Sequence, residues 1–164
     1  MSSLDDALAL AFAARADWVS TLHDTDAWRV FHGAVEGRPG LTVDRYGAVL
    51  LVQTFREPLL DGELGQLESF AARCLPEVEH VVWNHRGNAP ADTLALSDEA
   101  AAEQVVSEHG MRFAFRARHR GIDPWLFLDF RAGRRAVMER ASGGRVLNLF
   151  AYTGGVGIAA LAGG

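Results

Sequence analysis

The last twenty residues of the chain, 145–164, read R-V-L-N-L-F-A-Y-T-G-G-V-G-I-A-A-L-A-G-G. An apolar run (Val146, Leu147, Leu149, Phe150) leads into a glycine-rich turn, and the turn leads into small apolar residues at helical spacing. That order predicts a strand, a tight loop and a helix, the opening unit of a doubly wound nucleotide-binding sheet. A parallel sheet buries both of its faces and needs several such units to do so. With a single unit before Gly164, the pattern predicts the front part of an enzyme, cut just after its cofactor loop begins.

The residues ahead of this unit have a different rhythm. Leu4, Leu8, Ala11, Phe12, Arg15 (by its stem), Trp18, Val19 and Leu22 recur at three and four, which predicts one amphipathic helix over residues 4–23. Ser3 and Asp6 offer a reciprocal N-terminal cap. Short strands are predicted at 28–31, 41–45 and 48–55. The turn V-E-G-R-P-G separates the first two and Tyr46-Gly47 the last two, so the three read as a meander. A second amphipathic helix is predicted over 59–75, closed by Pro76, and another strand over 78–83. Residues 84–104 have weak periodicity and read as loop.

Residues 103–108 and 111–118 then predict a hairpin about His109-Gly110. In its second arm Met111, Phe113 and Phe115 alternate with Arg112, Ala114 and Arg116. Helical spacing returns over 129–140 and ends at Ser142-Gly143-Gly144. The fold class predicted is an α+β N-terminal domain over residues 1–107. It is followed, over 108–164, by a hairpin, a linking helix and the start of an α/β Rossmann-like domain.

Composition narrows the function classes. No run of apolar residues is long enough to span a bilayer, and M-S-S-L-D-D is not a secretory signal. Cys74 is the single cysteine, which rules out an internal disulfide and fits a reducing cytoplasm. The net charge of −5 argues against a general polyanion binder, but the charge is divided unevenly. Residues 111–145 hold nine Arg against three acids, whereas residues 1–110 hold seven Arg against eighteen. The basic stretch lies directly before the glycine loop, where a phosphate-bearing partner would be steered. A solvated arginine-rich face is the alternative.

Two segments can carry chemistry. In Tyr152-Thr153-Gly154-Gly155-Val156-Gly157 the glycines let backbone approach a ligand, and the following helix start favours electron-rich groups. The pattern G-G-x-G is not the dinucleotide fingerprint, and no lysine follows as in a P-loop; a tight turn with no ligand is the alternative. In W-L-F-L-D-F-R (125–131) an apolar patch ends in Asp-x-Arg at a helix start. Asp129 then either caps that helix or lies against a ligand held by the loop. Cys74, amid Phe70, Ala71 and Leu75, reads as a small core residue rather than a nucleophile. The six histidines lack metal-ligand spacing, so no metal site is expected.

Taken together, H-G-A-V-E-G-R-P-G-L-T-V-D-R-Y-G (32–47), E-H-G-M-R-F (108–113), L-F-L-D-F-R (126–131) and V-L-N-L-F-A-Y-T-G-G-V-G (146–157) resemble the ribosomal RNA large-subunit methyltransferase I family of class I S-adenosylmethionine-dependent enzymes. The resemblance implies a central α+β domain followed by the methyltransferase domain, with S-adenosyl-L-methionine as cofactor. It implies that Asn148, Phe150, Tyr152, Thr153, Gly154 and Gly155 line the cofactor pocket, and that Asp129 and Arg131 flank it. Ribosomal RNA is the implied partner. Arg112, Arg116, Arg118 and Arg120 are candidates for its phosphates.

The chain also departs from the family pattern. The family usually carries an RNA-binding PUA domain ahead of the matched region, and this chain opens after the place where that domain would end. The usual K-T-G-[FY]-[FY]-L-D-Q-R is here I-D-P-W-L-F-L-D-F-R, with Phe130 for Gln and Asp123-Pro124 for Thr-Gly. Its L-F-L-D is closer to a guanine-modifying branch, which leaves the target base open. The ribose-holding acid and the family's downstream catalytic segments would lie past Gly164, so this chain alone is expected to transfer negligible methyl. Two other readings stay open: a non-catalytic α+β interaction module with an adhesive edge at residues 146–150, and a methyltransferase acting on a small molecule.

Overall fold

The computed structural model describes residues 3–87, 97–118, 124–149 and 151–164. Helix α1 (Leu4–Ala13) begins in a reciprocal cap. Ser3 Oγ accepts from the Asp6 amide at 3.1 Å, and the Asp6 carboxylate accepts from the Ser3 amide at 3.1 Å. Its stripe Leu4, Leu8, Ala11 is buried. The single helix expected over 4–23 is broken after α1, and α2 (Ala16–Val19) is a separate turn. Arg15, between them, donates back to the Ala11 carbonyl at 2.7 Å and pairs with Glu36 at 2.5 Å. Trp18 then meets Trp28 edge-on, ring centroids 5.9 Å apart. These tertiary contacts override the local helical pattern.

Four strands form one sheet in the order β1 (Ala27–His32), β2 (Leu41–Tyr46), β3 (Val49–Thr54), β4 (His80–His85). The first three are the expected antiparallel meander. β4 runs parallel to β3, a pairing that needs a crossover. Helix α3 (Glu63–Cys74) supplies it. It starts later than residue 59 because Gly62 takes φ +83°. The Glu63 carboxylate also draws in the Leu60 amide (2.7 Å) and Arg38 (2.8 Å).

Both faces of the sheet are covered. On one, Trp28, Val30, Phe31, Val43, Leu50 and Val52 pack with Leu8 of α1 and Leu67 and Phe70 of α3. On the other, Tyr46, Val49, Leu51 and Val82 pack with Val106, Phe113 and Phe115. The latter three belong to a hairpin of β5 (Gln104–Glu108) and β6 (Met111–Phe115). β6 alternates as expected, with Met111, Phe113 and Phe115 buried and Arg112 and Ala114 exposed.

The hairpin turn has positive φ at both His109 (52°) and Gly110 (73°), the turn geometry that matches strand twist. Residues 24–26 hold it down. The Thr25 hydroxyl accepts from the His109 amide at 2.9 Å, and Asp26 Oδ1 accepts from the Ser107 amide at 2.7 Å. Tyr46 stacks on Phe115, centroids 4.1 Å apart, and donates its hydroxyl to the Leu126 carbonyl at 2.7 Å. The region expected as loop over 84–104 holds a short helix, α4 (Asp98–Ala101), capped by Ser97; residues 88–96 lie outside the described part.

A 3-10 turn at Leu128–Phe130 runs into helix α5 (Arg131–Arg140), and α6 (Gly155–Ala162) packs on it. Between them the structure differs from the sequence reading. The strand expected at 146–150 is not formed over its described residues: no described residue pairs with 146–149. Val146, Leu147 and Leu149 are 50%, 80% and 66% exposed. An extended run acquires its ladder only from a neighbouring strand, and none lies beside this one among the described residues.

Candidate functional site

The turn ahead of α6 is left-handed twice, at Tyr152 (φ 50°) and Gly154 (φ 80°). The Gly154 amide closes it on the Ala151 carbonyl at 2.7 Å, and Ile158 starts the intrahelical ladder on the Gly154 carbonyl. The amides of Gly155, Val156 and Gly157 therefore have no carbonyl behind them within the helix, and no side chain caps it. A Cβ at Gly154 would meet nothing within 4 Å, so the loop surface there is open.

This turn forms one wall of a groove of about 320 Å³. The opposite wall is the segment running into α5: Trp125, Leu126, Phe127, Asp129 and Phe130. Thr153 Oγ1 donates to the Trp125 carbonyl, and Tyr152 lies 5.5 Å from Phe127 ring to ring, so the two walls are laced together at one end. The Phe130 ring lies over Gly133, where a Cβ would come within 2.6 Å of it and push the ring aside. Asp129 is exposed at the groove.

Of the residues the resemblance pointed to, Asp129, Tyr152, Thr153 and Gly155 line this groove, and Gly154 is the turn between them. Asn148 lies elsewhere. It lines a second groove, of about 350 Å³, with Ala141, Gly144, Val146, Gly157, Ala160, Leu161 and Gly164. Arg131 also points away: its guanidinium sits 4.9 Å from the Trp18 ring, with Nε buried and unpartnered among the described residues. Burial, and the neighbouring Arg135 and Arg134, lower the Arg131 pKa, with Glu108 opposing. Burial, then Arg131, likewise lowers that of His109 in the hairpin turn. Phe150 lies outside the described residues.

The four arginines proposed for phosphate differ in exposure. Arg112 stands on the outer face of β6. The Arg116 guanidinium lies 5.8 Å from the Trp125 ring, at the groove's end. Arg118 donates to Asn84 Oδ1 (2.9 Å) and the Trp83 carbonyl (3.0 Å), tying the end of the hairpin to β4. Arg120 lies outside the described residues. Cys74 packs beside the α1–α3 core, and no cluster of metal-ligating side chains occurs among the described residues. No described helix is long and apolar enough to cross a membrane.

Sequence reasoning assigned no role to Glu108 or Arg134. Both are buried, at 0% and 3% side-chain exposure, in a two-pronged ion pair of 2.6 and 2.7 Å. Arg134 also lines the groove. The two are 26 positions apart, and an acid ending a strand carries no sign of which helix cation it will meet.

The family model for S-adenosylmethionine-dependent methyltransferases matches residues 28–164. A ribosomal RNA large subunit methyltransferase from Deinococcus radiodurans is 38% identical, covering 99% of this chain and 43% of its own length. Ribosomal RNA large subunit methyltransferase I from Erwinia tasmaniensis is 30% identical, over 90% of this chain and 38% of its own. The chain thus spans about two-fifths of the length of these relatives. A methyltransferase solved in complex with SAH superposes over the whole chain with a TM-score of 0.79 at 22% identity, covering 43% of that structure. A SAM-dependent methyltransferase from Streptococcus mutans gives 0.73 over 44% of its length, also at 22% identity. At that identity the two structures speak for the fold. With the family model spanning the meander, the hairpin, both groove walls and the glycine turn, the chain belongs to the S-adenosylmethionine-dependent methyltransferases and is similar to their ribosomal RNA large-subunit branch.

Proposed function

We propose that the groove between residues 125–130 and 151–156 holds S-adenosylmethionine, and that the protein serves methyl transfer to a base of ribosomal RNA. The observation that carries this reading is the meeting of an exposed carboxylate, Asp129, with a left-handed glycine turn on one groove. The donor set suits the group. Asp129 offers an acceptor and a negative charge to an ammonium or sulfonium, the free amides of residues 155–157 offer donors to a carboxylate, and Phe127, Phe130 and Tyr152 offer flat apolar surface. When bound, the cofactor supplies a methyl group on a sulfonium for in-line displacement. The chain's own part is to bind, orient and shield. The single thiol fits work in the cytoplasm.

Arg112, Arg116, Arg118 and Arg120 are proposed to face RNA phosphate, Arg112 foremost because it is exposed. We further propose that this 164-residue chain by itself transfers negligible methyl, because among the described residues the groove is lined by the segment into α5 and the glycine turn, and residues 146–149 pair with no strand. Equilibrium dialysis with labelled S-adenosylmethionine tests the first step: saturable binding is expected, weakened by Asp129→Asn, and undiminished binding by that variant contradicts the site. Filter binding to ribosomal RNA tests the second. Arg112→Glu should lower affinity and flatten its salt dependence, and an unchanged salt slope removes Arg112 from the interface. Clear methyl incorporation into that RNA by this chain would overturn the claim of inactivity.

A further inference from the structure

Arg134 touches three parts of the molecule: the β5–β6 hairpin, the groove wall ahead of α5, and the start of α6. Its Nε and Nη2 grip the Glu108 carboxylate at the end of β5, at 2.6 and 2.7 Å. Nη2 also donates to the Phe127 carbonyl, in the groove wall, at 2.8 Å. The guanidinium lies 5.9 Å from the Phe113 ring of β6. Its stem lies under the first residue of α6, where a Cβ on Gly155 would stand 3.7 Å from Arg134 Cδ. One side chain therefore holds the Asp129 wall by its backbone and supports the glycine turn from beneath. Both are fixed to a hairpin that is itself pinned to the sheet.

We propose that the Glu108–Arg134 pair is the positioning device of the groove, setting the distance between the Asp129 wall and the glycine turn. The inference rests on the reading of the groove as a cofactor site and names residues that act on it indirectly. The chemistry of the pair supports it. A planar guanidinium presents donors along two edges, so it serves a carboxylate and a carbonyl at once in a fixed geometry. An ammonium is a point charge and cannot hold those directions. A buried ion pair adds little net stability compared with apolar packing, whereas it fixes geometry well. Its siting between the groove walls, rather than in the sheet core, suits a positional role.

The test compares wild type with Arg134→Lys, which keeps the charge and loses the fork. Two measurements are made on the full chain: residue-resolved amide exchange without ligand, and calorimetric affinity for S-adenosylhomocysteine. Exchange is expected to quicken together at the hydrogen-bonded amides of the two walls, Phe130 on one and Gly154 and Ile158 on the other, while β3 stays protected. Affinity should fall by about tenfold. Glu108→Gln, which removes the counter-charge from the other side, should loosen the same two segments and stands in if the lysine variant does not fold. Exchange that rises in one wall only, in neither, or uniformly across the sheet overturns the proposal, as does unchanged affinity. If wild type shows no affinity, the cofactor reading fails, and the paired change in exchange alone decides whether Arg134 couples the walls.

Discussion

β3 and residues 146–149 are built from the same kind of sequence and meet opposite fates. Val49, Leu50, Leu51 and Val52 lie between β2 and β4 with both faces covered, and all are buried. Val146, Leu147 and Leu149 have neither a ladder partner among the described residues nor a covering layer, and remain half or more exposed. A continuous apolar run suits a strand buried on both sides. It becomes one only where neighbours accept its hydrogen bonds. The finished sheet is a platform, and the hairpin on its second face carries the groove. The unpaired run instead lines the second groove, through Val146 and Asn148.

The largest expected effect tests the contrast directly. Phe115→Ala removes the ring stacked on Tyr46 and should cost about 3–5 kcal/mol. Leu147→Ser, at an equally apolar but exposed position, should stay within about 0.5 kcal/mol. Urea unfolding of both variants measures the difference, and equal losses would mean that residues 146–149 are packed in solution.

A smaller effect concerns the seam between platform and groove. Tyr46→Phe keeps the stacking but leaves the buried Leu126 carbonyl without its donor, at a cost of about 1–2 kcal/mol by the same assay. A loss below the error of the fit would mean that the Leu126 carbonyl finds another donor or is not sequestered.

The smallest is a pH effect in the hairpin turn. His109 has its pKa lowered, by burial first and then by Arg131, with Glu108 and Asp24 opposing and Arg135 adding. The unfolded chain therefore takes up the proton before the folded one. The contribution of His109 is present above its ordinary value and is lost as pH falls through the folded one. His109→Asn tolerates the positive φ and should remove that part of the acid loss. Solvent screening keeps it under about 0.5 kcal/mol. Urea titrations at pH 7.5 and 5 compare the two proteins, and an equal acid loss in both rules His109 out.

The parts of the fold legible from sequence are those whose cause is local. The Ser3–Asp6 cap, the alternation of Met111, Phe113 and Phe115, and the turn at His109-Gly110 all write their geometry in neighbouring residues. The break between α1 and α2 was illegible because Glu36 and Trp28, which cause it, come later in the chain. In the groove, the left-handed turn at Gly154 is visible as a glycine pair. Side-chain direction at a helix start is not visible. Asp129 faces the groove while Arg131, two residues on, turns to Trp18, because that choice depends on the packing of α2. Asn148 falls on the far side of the first turn of α6 for the same reason, once its segment is not held as a strand.

The proposed site puts S-adenosylmethionine between Asp129 and the glycine turn. Titrating the isotope-labelled chain with S-adenosylhomocysteine and following backbone amide resonances tests it most directly. Saturable shifts are expected, concentrated at residues 127–130 and 153–157, with the platform strands unmoved. Shifts centred instead on Asn148, Ala160 and Leu161, or none at saturating ligand, would contradict it.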